Sequence, residues 1–143
     1  MKRYRSQFLG KSSPVLFFWG SFDLALTFFS GRRAPVIPGA DHMQREAMSH
    51  EEISCGFWPG DDRFPEPAFY SYTFPAPSGL ASSSLRPAEA FYHPQLGEFL
   101  LRYDDVRKAD SPDQALQDFF QSAYEAGATL AQWDRPALER SGI

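Results

Sequence analysis

The chain has 143 residues, 43% hydrophobic and 22% charged, proportions that suit one globular domain with a single core and exclude disorder along its whole length. The net charge of -4 is lopsided: residues 1–33 carry Lys2, Arg3, Arg5, Lys11, Arg32 and Arg33 against Asp23, a balance of +5 that leaves -9 for the rest. Six basic residues scattered over two clusters make a poor nucleic-acid footprint, and a single cysteine, Cys55, excludes an intrachain disulfide, so a cytoplasmic protein without nucleic acid is expected.

Residues 1–13 read as a basic lead-in arm or the end of a helix, in which Tyr4, Phe8 and Leu9 recur at near-helical spacing, and this segment is expected to lie outside the core. The apolar run "VLFFWG" that follows has the look of an export signal. Ser21 and Asp23 interrupt it, no small-residue cleavage site follows, and it is too short to span a bilayer, so no membrane association is expected. From Leu16 the even positions read Leu16, Phe18, Gly20, Phe22, Leu24, Leu26 and Phe28, while the odd positions mix Trp19, Ser21, Asp23 and Thr27 with apolar residues. This period of two predicts a long strand with a bulge or bend at Gly20, in which Asp23 escapes the apolar side by pointing to the opposite face beside Ser21. "SGRR" reads as the turn or exit that follows it.

Pro35, Pro38 and Gly39 mark a connector, and Asp41 opens a short helix over 41–48. "HEEISCGFW" predicts a second strand with Ile53, Cys55 and Phe57 on one face and His50, Glu52, Ser54 and Gly56 on the other. "AFYSYTF" predicts a third, with Tyr70, Tyr72 and Phe74 sharing a side. Residues 75–87 carry Pro, Gly and Ser and read as a mobile excursion, and "AEAFYHPQLGEFLLRY" as two short strands around a turn. A long amphipathic helix over 111–133 follows, with Ser111, Pro112 and Gln114 as a capping box and Leu116, Phe119, Phe120, Ala123 and Gly127 on its apolar stripe. "DRPALER" offers Asp134 as the cap of another short helix. The sum is an α+β domain over 1–143: a basic arm, strands and Pro-rich loops over 14–110, then the helix. It is an antiparallel sheet of four to six strands with one face covered by that helix.

The aromatic content is the outlier. With 14 Phe, 6 Tyr and 3 Trp, the chain can furnish either half-buried strands or an aromatic-lined cavity. Candidate chemistry sits on the strand faces turned from the core: Ser21 and Asp23 on the first strand, His50 and Glu52 on the second. Residues two apart on a strand point the same way about 7 Å apart, so His50 and Glu52 can serve as base and orienter, or ligate a metal with Asp23. The plainer account makes all four solvent-facing strand residues. Cys55 and His50 differ in parity and face opposite sides, which disfavours a thiol-imidazole dyad and leaves Cys55 as a small core residue. His42 and His93 read as structural, "HEE" lacks the second histidine of a metalloprotease motif, and no phosphate-binding glycine loop is present. Arg32 and Arg33 are exposed turn residues or a clamp for an anionic ligand group. Trp19 and Trp58 are the candidates for a cavity wall, against ordinary packing.

The strings "FFWGSFDLA", "FSGRRAP" and "AFYHPQLGEF" resemble a bacterial family of uncharacterised proteins, the domain of unknown function 5996 family, and the resemblance is to its C-terminal half. It implies no activity, cofactor or catalytic assignment. Members are usually about twice this length, so the resemblance implies a homodimer or a missing N-terminal half as partner. The leading expectation is a small-molecule-binding domain whose aromatic-lined pocket is furnished by Trp19, Ser21, Asp23, Arg32, His50 and Trp58, with Glu52, and with no metal. The alternatives are a hydrolase or isomerase using His50 with Glu52 or Asp23, metal-assisted or not, and a protein-interaction module.

Overall fold

The computed structural model describes residues 1–35, 39 and 49–140. Among them, six strands form one antiparallel sheet: β1 (Leu16–Phe18), β2 (Asp23–Arg33), β3 (His50–Trp58), β4 (Ala68–Phe74), β5 (Phe91–His93) and β6 (Glu98–Arg102), in the spatial order β1-β2-β3-β4-β6-β5. The helices are α1 (Lys2–Arg5), α2 (Tyr103–Arg107), α3 (Pro112–Leu130) and α4 (Arg135–Leu138). The fold is α+β, an open sheet with α3 packed against one face.

Side-chain alternation along the strands creates that face. Leu26 and Phe28 of β2, Ile53 and Cys55 of β3, and Phe99 and Leu101 of β6 meet Phe119, Phe120, Ala123, Tyr124 and Ala128 of α3 in one buried cluster. Leu26, Leu101 and Phe119 are wholly removed from solvent, each stabilising the fold by about 1.5–3 kcal/mol relative to exposure. At Gly127, α3 lies so close to the sheet that a methyl there would overlap Thr73 Oγ1.

Several expectations are corrected. The leading arm belongs to the core: Tyr4 donates its hydroxyl to the Phe120 carbonyl at 3.1 Å, and Phe8 stacks on Phe28 with ring centroids 4.4 Å apart. Tyr124 of α3 meets the Phe28 ring edge-on, and Tyr4 and Phe8 of the arm add to its cover. The long leading strand is instead a hairpin, with β1 and β2 antiparallel and residues 19–22 as the turn. Phe22 takes a left-handed conformation in that turn (φ 61°), and the reversal moves Leu16 and Phe18 off the core side and onto an edge strand. Of the two readings of "SGRR", the turn fails: these residues are the last of β2, where the pairing with β3 shifts between Phe29 and Arg33.

Ser111 occupies the N-cap of α3 and Pro112 its first turn, yet the serine makes no side-chain cap. Gln114 donates to Asp118 within the helix at 2.8 Å instead of closing a capping box. Asp134 does cap α4, accepting from the Ala137 amide. The segment read as a mobile excursion is anchored, because Leu80 is buried in the core and the Arg86 amide donates to Ser122 Oγ of α3 at 3.0 Å. The helix expected over 41–48 lies outside the described residues.

Gly56 of β3 stands opposite Ala25 of β2 and Tyr70 of β4. A methyl at this position would overlap the Leu24 carbonyl oxygen, which is backbone and has little freedom to yield. Gly56→Ala is therefore expected to destabilise the fold by about 1–3 kcal/mol through forced separation of β2 and β3. Urea denaturation measures it, and an unchanged midpoint would show that the two strands part without cost.

Candidate functional site

The face of the sheet turned away from α3 takes the odd residues of β2 and the even residues of β3, β4 and β6. On it lies an open cavity of about 740 Å³, within the range of roughly 300–1,000 Å³ common for small-molecule sites. Small residues, Ala25, Thr27 and Ser54, make its floor, and Phe29, Trp58, Tyr70 and Tyr72 its aromatic sides. The hairpin supplies one edge through Leu16, Phe18, Trp19 and Ser21, and Arg63 and Leu96 contribute from loops. Three carboxylates line the same space: Asp23 on β2, Glu52 on β3 and Glu98 on β6.

These acids are not equivalent. Asp23 is buried, and both of its oxygens are engaged: Ser21 Oγ donates to Oδ1 at 2.5 Å and the Tyr70 hydroxyl donates to Oδ2 at 2.6 Å. To make that bond the Tyr70 ring crosses the whole of β3, and it crosses at Gly56, where no side chain stands in the way. Burial, reinforced by the bond to Asp23, pushes the Tyr70 hydroxyl far above its ordinary value, so it stays protonated and remains a donor.

Glu52 is 6% exposed and lines the cavity, and among the described residues its carboxylate has neither a hydrogen-bond donor nor a counter-cation. Burial pushes it from an ordinary 4.5 up to about 7. Glu98 is also raised to about 7 by burial, with Arg63 opposing the shift and the charge of Asp23 adding to it. The Tyr72 hydroxyl is raised by its own burial and by the neighbouring charge of Glu52. Arg63 is the one cation on the wall among the described residues, and it is held by Asp61, to which Nε and Nη2 donate at 3.1 and 2.7 Å.

Of the residues expected at a site, the structure brings Trp19, Ser21, Asp23, Glu52 and Trp58 to this one wall. His50 and Arg32 are not on it. His50 sits at the start of β3, with Nδ1 2.9 Å from Ser49 Oγ and its ring edge-on to Phe29. Arg32 lies toward α3, donating to Glu51 Oε1 at 2.7 Å and to the Ala131 carbonyl at 2.8 Å. Arg33 pairs in register with His50 at the exposed end of β2. His93 accepts from the Leu96 amide in the β5–β6 turn, and His42 lies outside the described residues. Cys55 is buried in the core, its thiol pushed up to about 12. No group of three or more metal-ligating side chains converges among the described residues.

Reading strands singly missed Thr27, Ser54, Arg63, Tyr70, Tyr72 and Glu98. The shared face of Tyr70 and Tyr72 was visible in the alternation of β4, but only strand order sets them beside Asp23 and Glu52. Glu98 and Arg63 carry no pattern that links them to either acid.

The sequence matches the model of a family described as "Family of unknown function (DUF5996)" over residues 1–140, which takes in the arm, the hairpin and α4 rather than a half of the chain. No curated protein and no solved structure matches it.

Tyr70→Phe leaves one oxygen of the buried Asp23 without its donor, an expected loss of about 1–3 kcal/mol by chemical denaturation at neutral pH. The raised Glu52 has the opposite sign. Its protonated form is favoured in the folded state, so the stability it lends is full below about 4.5 and is lost as the pH rises through about 7. Glu52→Gln should therefore match the native protein near pH 4 and exceed its melting temperature near pH 8. Equal differences at the two pH values would rule out burial of the charge as the cause.

Proposed function

This chain belongs to the DUF5996 family, described as a family of unknown function, and from its own geometry we propose that it is a small-molecule-binding domain. The observation that carries the reading is a cavity of about 740 Å³ whose wall holds a buried carboxylate, Glu52, without a partner among the described residues. A native fold tolerates such a group at a cost in stability, and a site that takes up a complementary ligand supplies the missing contact. Small floor residues beneath tall aromatic walls give the space its depth, and Trp58 and Tyr72 offer flat apolar surface with a polar tip. The buried thiol of Cys55, the one cysteine of the chain, supports a cytoplasmic setting.

A second reading, an interaction module, draws on the hairpin. Phe17, Trp19 and Phe22 are 44%, 79% and 56% exposed, and they pack edge to face on one another with centroids 5.1–6.1 Å apart. Leu16 and Phe18 beside them are also exposed on the edge strand β1. A second copy of this chain is the partner this surface would take.

Ligands of the cavity are expected to raise the melting temperature of the native protein and to change the fluorescence of Trp19 and Trp58, while Thr27→Phe, which fills the floor, should abolish both effects. A broad metabolite screen by thermal shift is the measurement. Absence of any stabilising compound, or hits that bind the filled variant equally well, would remove the cavity as the site. Light scattering addresses the hairpin: Trp19→Ser should dissociate an assembly built on it, and a native monomer at high concentration would eliminate the dimer.

A further inference from the structure

We infer that the ligand class of this cavity is a protonated organic amine, whose N–H groups donate to Glu52 while its apolar body lies against Trp58 and Tyr72. The inference rests on the cavity being a binding site and adds the chemistry of what fills it.

The charge on the wall is one-sided. Asp23, Glu52 and Glu98 face the space, and the one cation there among the described residues, Arg63, is already committed to Asp61 outside it. Asp23 is satisfied by two hydroxyl donors and acts as the anchor of Tyr70 rather than as a ligand contact. Glu52 differs in kind: the residue is 6% exposed, and among the described residues no hydrogen-bond donor reaches its carboxylate. An anionic ligand would meet a wall of acids with no uncommitted cation among the described residues. A neutral apolar ligand would strip the remaining water from Glu52 and offer it nothing in exchange. An ammonium group offers both opposite charge and directed N–H donors, and the aromatic walls attract a cation over their faces. The need for donors selects amines that carry N–H over quaternary ammonium, which brings charge alone.

Binding should be linked to protons. Sharing the cavity with Glu52 among the described residues are Asp23 from β2, Tyr70 and Tyr72 from β4, Glu98 from β6 and Arg63 from the β3–β4 loop, while His50, two residues away on the same strand, lies beyond the wall. Glu52 and Glu98 are both raised to about 7 by burial, so a cation that requires the ionised carboxylate releases a proton below that value. Affinity therefore rises with pH between about 5.5 and 8, where an aliphatic ammonium of pKa about 10 keeps its charge.

Four probes of matched shape provide the test: phenethylamine, its trimethylammonium analogue, 2-phenylethanol and phenylacetate, titrated by calorimetry and tryptophan fluorescence into the native protein and Glu52→Gln. The expected result is phenethylamine binding about tenfold or more tighter than the alcohol, a gap of about 1.4 kcal/mol, with the quaternary analogue weaker and the anion absent. Heats measured in two buffers at pH 6.5 should report proton release, and Glu52→Gln should erase the preference for the amine while retaining the alcohol. Equal binding of amine and alcohol, tighter binding of the anion, or a preference unchanged in Glu52→Gln would overturn the amine and leave the cavity standing as a site for another ligand. Failure of all four probes at millimolar concentration would overturn both, and Glu98→Gln, leaving Glu52 in place, should weaken the amine only partly.

Discussion

The hydrogen bond from Tyr70 to Asp23 ties together strands that are not neighbours. Tyr70 belongs to β4 and Asp23 to β2, and the ring reaches across β3 at its glycine to make the bond at 2.6 Å. Two conditions permit this. Gly56 has no side chain, so β2 and β3 approach closely, and the residues around the crossing, Ala25 and Ser54, are small. The same conditions that let one aromatic lie flat over the sheet leave a hollow beside it, where Thr27 and Ser54 form the floor and Trp58 and Tyr72 rise at the sides. The cavity follows from the size pattern of the face.

Burial then sorts the acids by the partners available to them. Asp23 enters the wall with Ser21 two residues before it and Tyr70 above it, so its charge is met by donors. Glu52 stands opposite Phe29 on one side and Phe74 on the other, neither of which donates a hydrogen bond. Low local polarity raises the cost of an unmatched charge and the value of a matched one together. That asymmetry assigns different work to residues of the same chemical type: Asp23 holds the wall and Glu52 meets what enters.

The aromatic excess divides into three populations with different physical roles. One, including Phe8, Phe28, Phe119 and Tyr124, packs where the arm, the sheet and α3 meet. A second walls the cavity. The third, Phe17, Trp19 and Phe22, stands on the hairpin in solvent, where packing on one another reduces but does not remove the exposed area. Composition alone could not distinguish these, since the same side chains serve all three settings. Trp19 belongs to two of them, because it lines the cavity edge while most of it faces solvent.

Local pattern was enough for the elements whose periodicity is strong. Alternation in "HEEISCGFW" and "AFYSYTF" marked β3 and β4 over the residues that form them, and the three- and four-residue recurrence after Ser111 marked α3 to within a turn of its end. The same alternation placed Asp23 beside Ser21 and away from the core, where the two are bonded. It could not show that residues 15–29 reverse at 19–22, because a hairpin and a bent strand share one period and differ only in what each edge pairs with. Nor could it select among polar residues: His50 and Glu52 share parity, yet Glu52 faces the cavity while His50 lies beyond its wall. Parity is a property of each strand and is written in the sequence; strand order and the lateral approach of neighbours are properties of the assembled sheet. Only those brought Tyr70, Glu98 and Arg63 to the same space as Asp23 and Glu52.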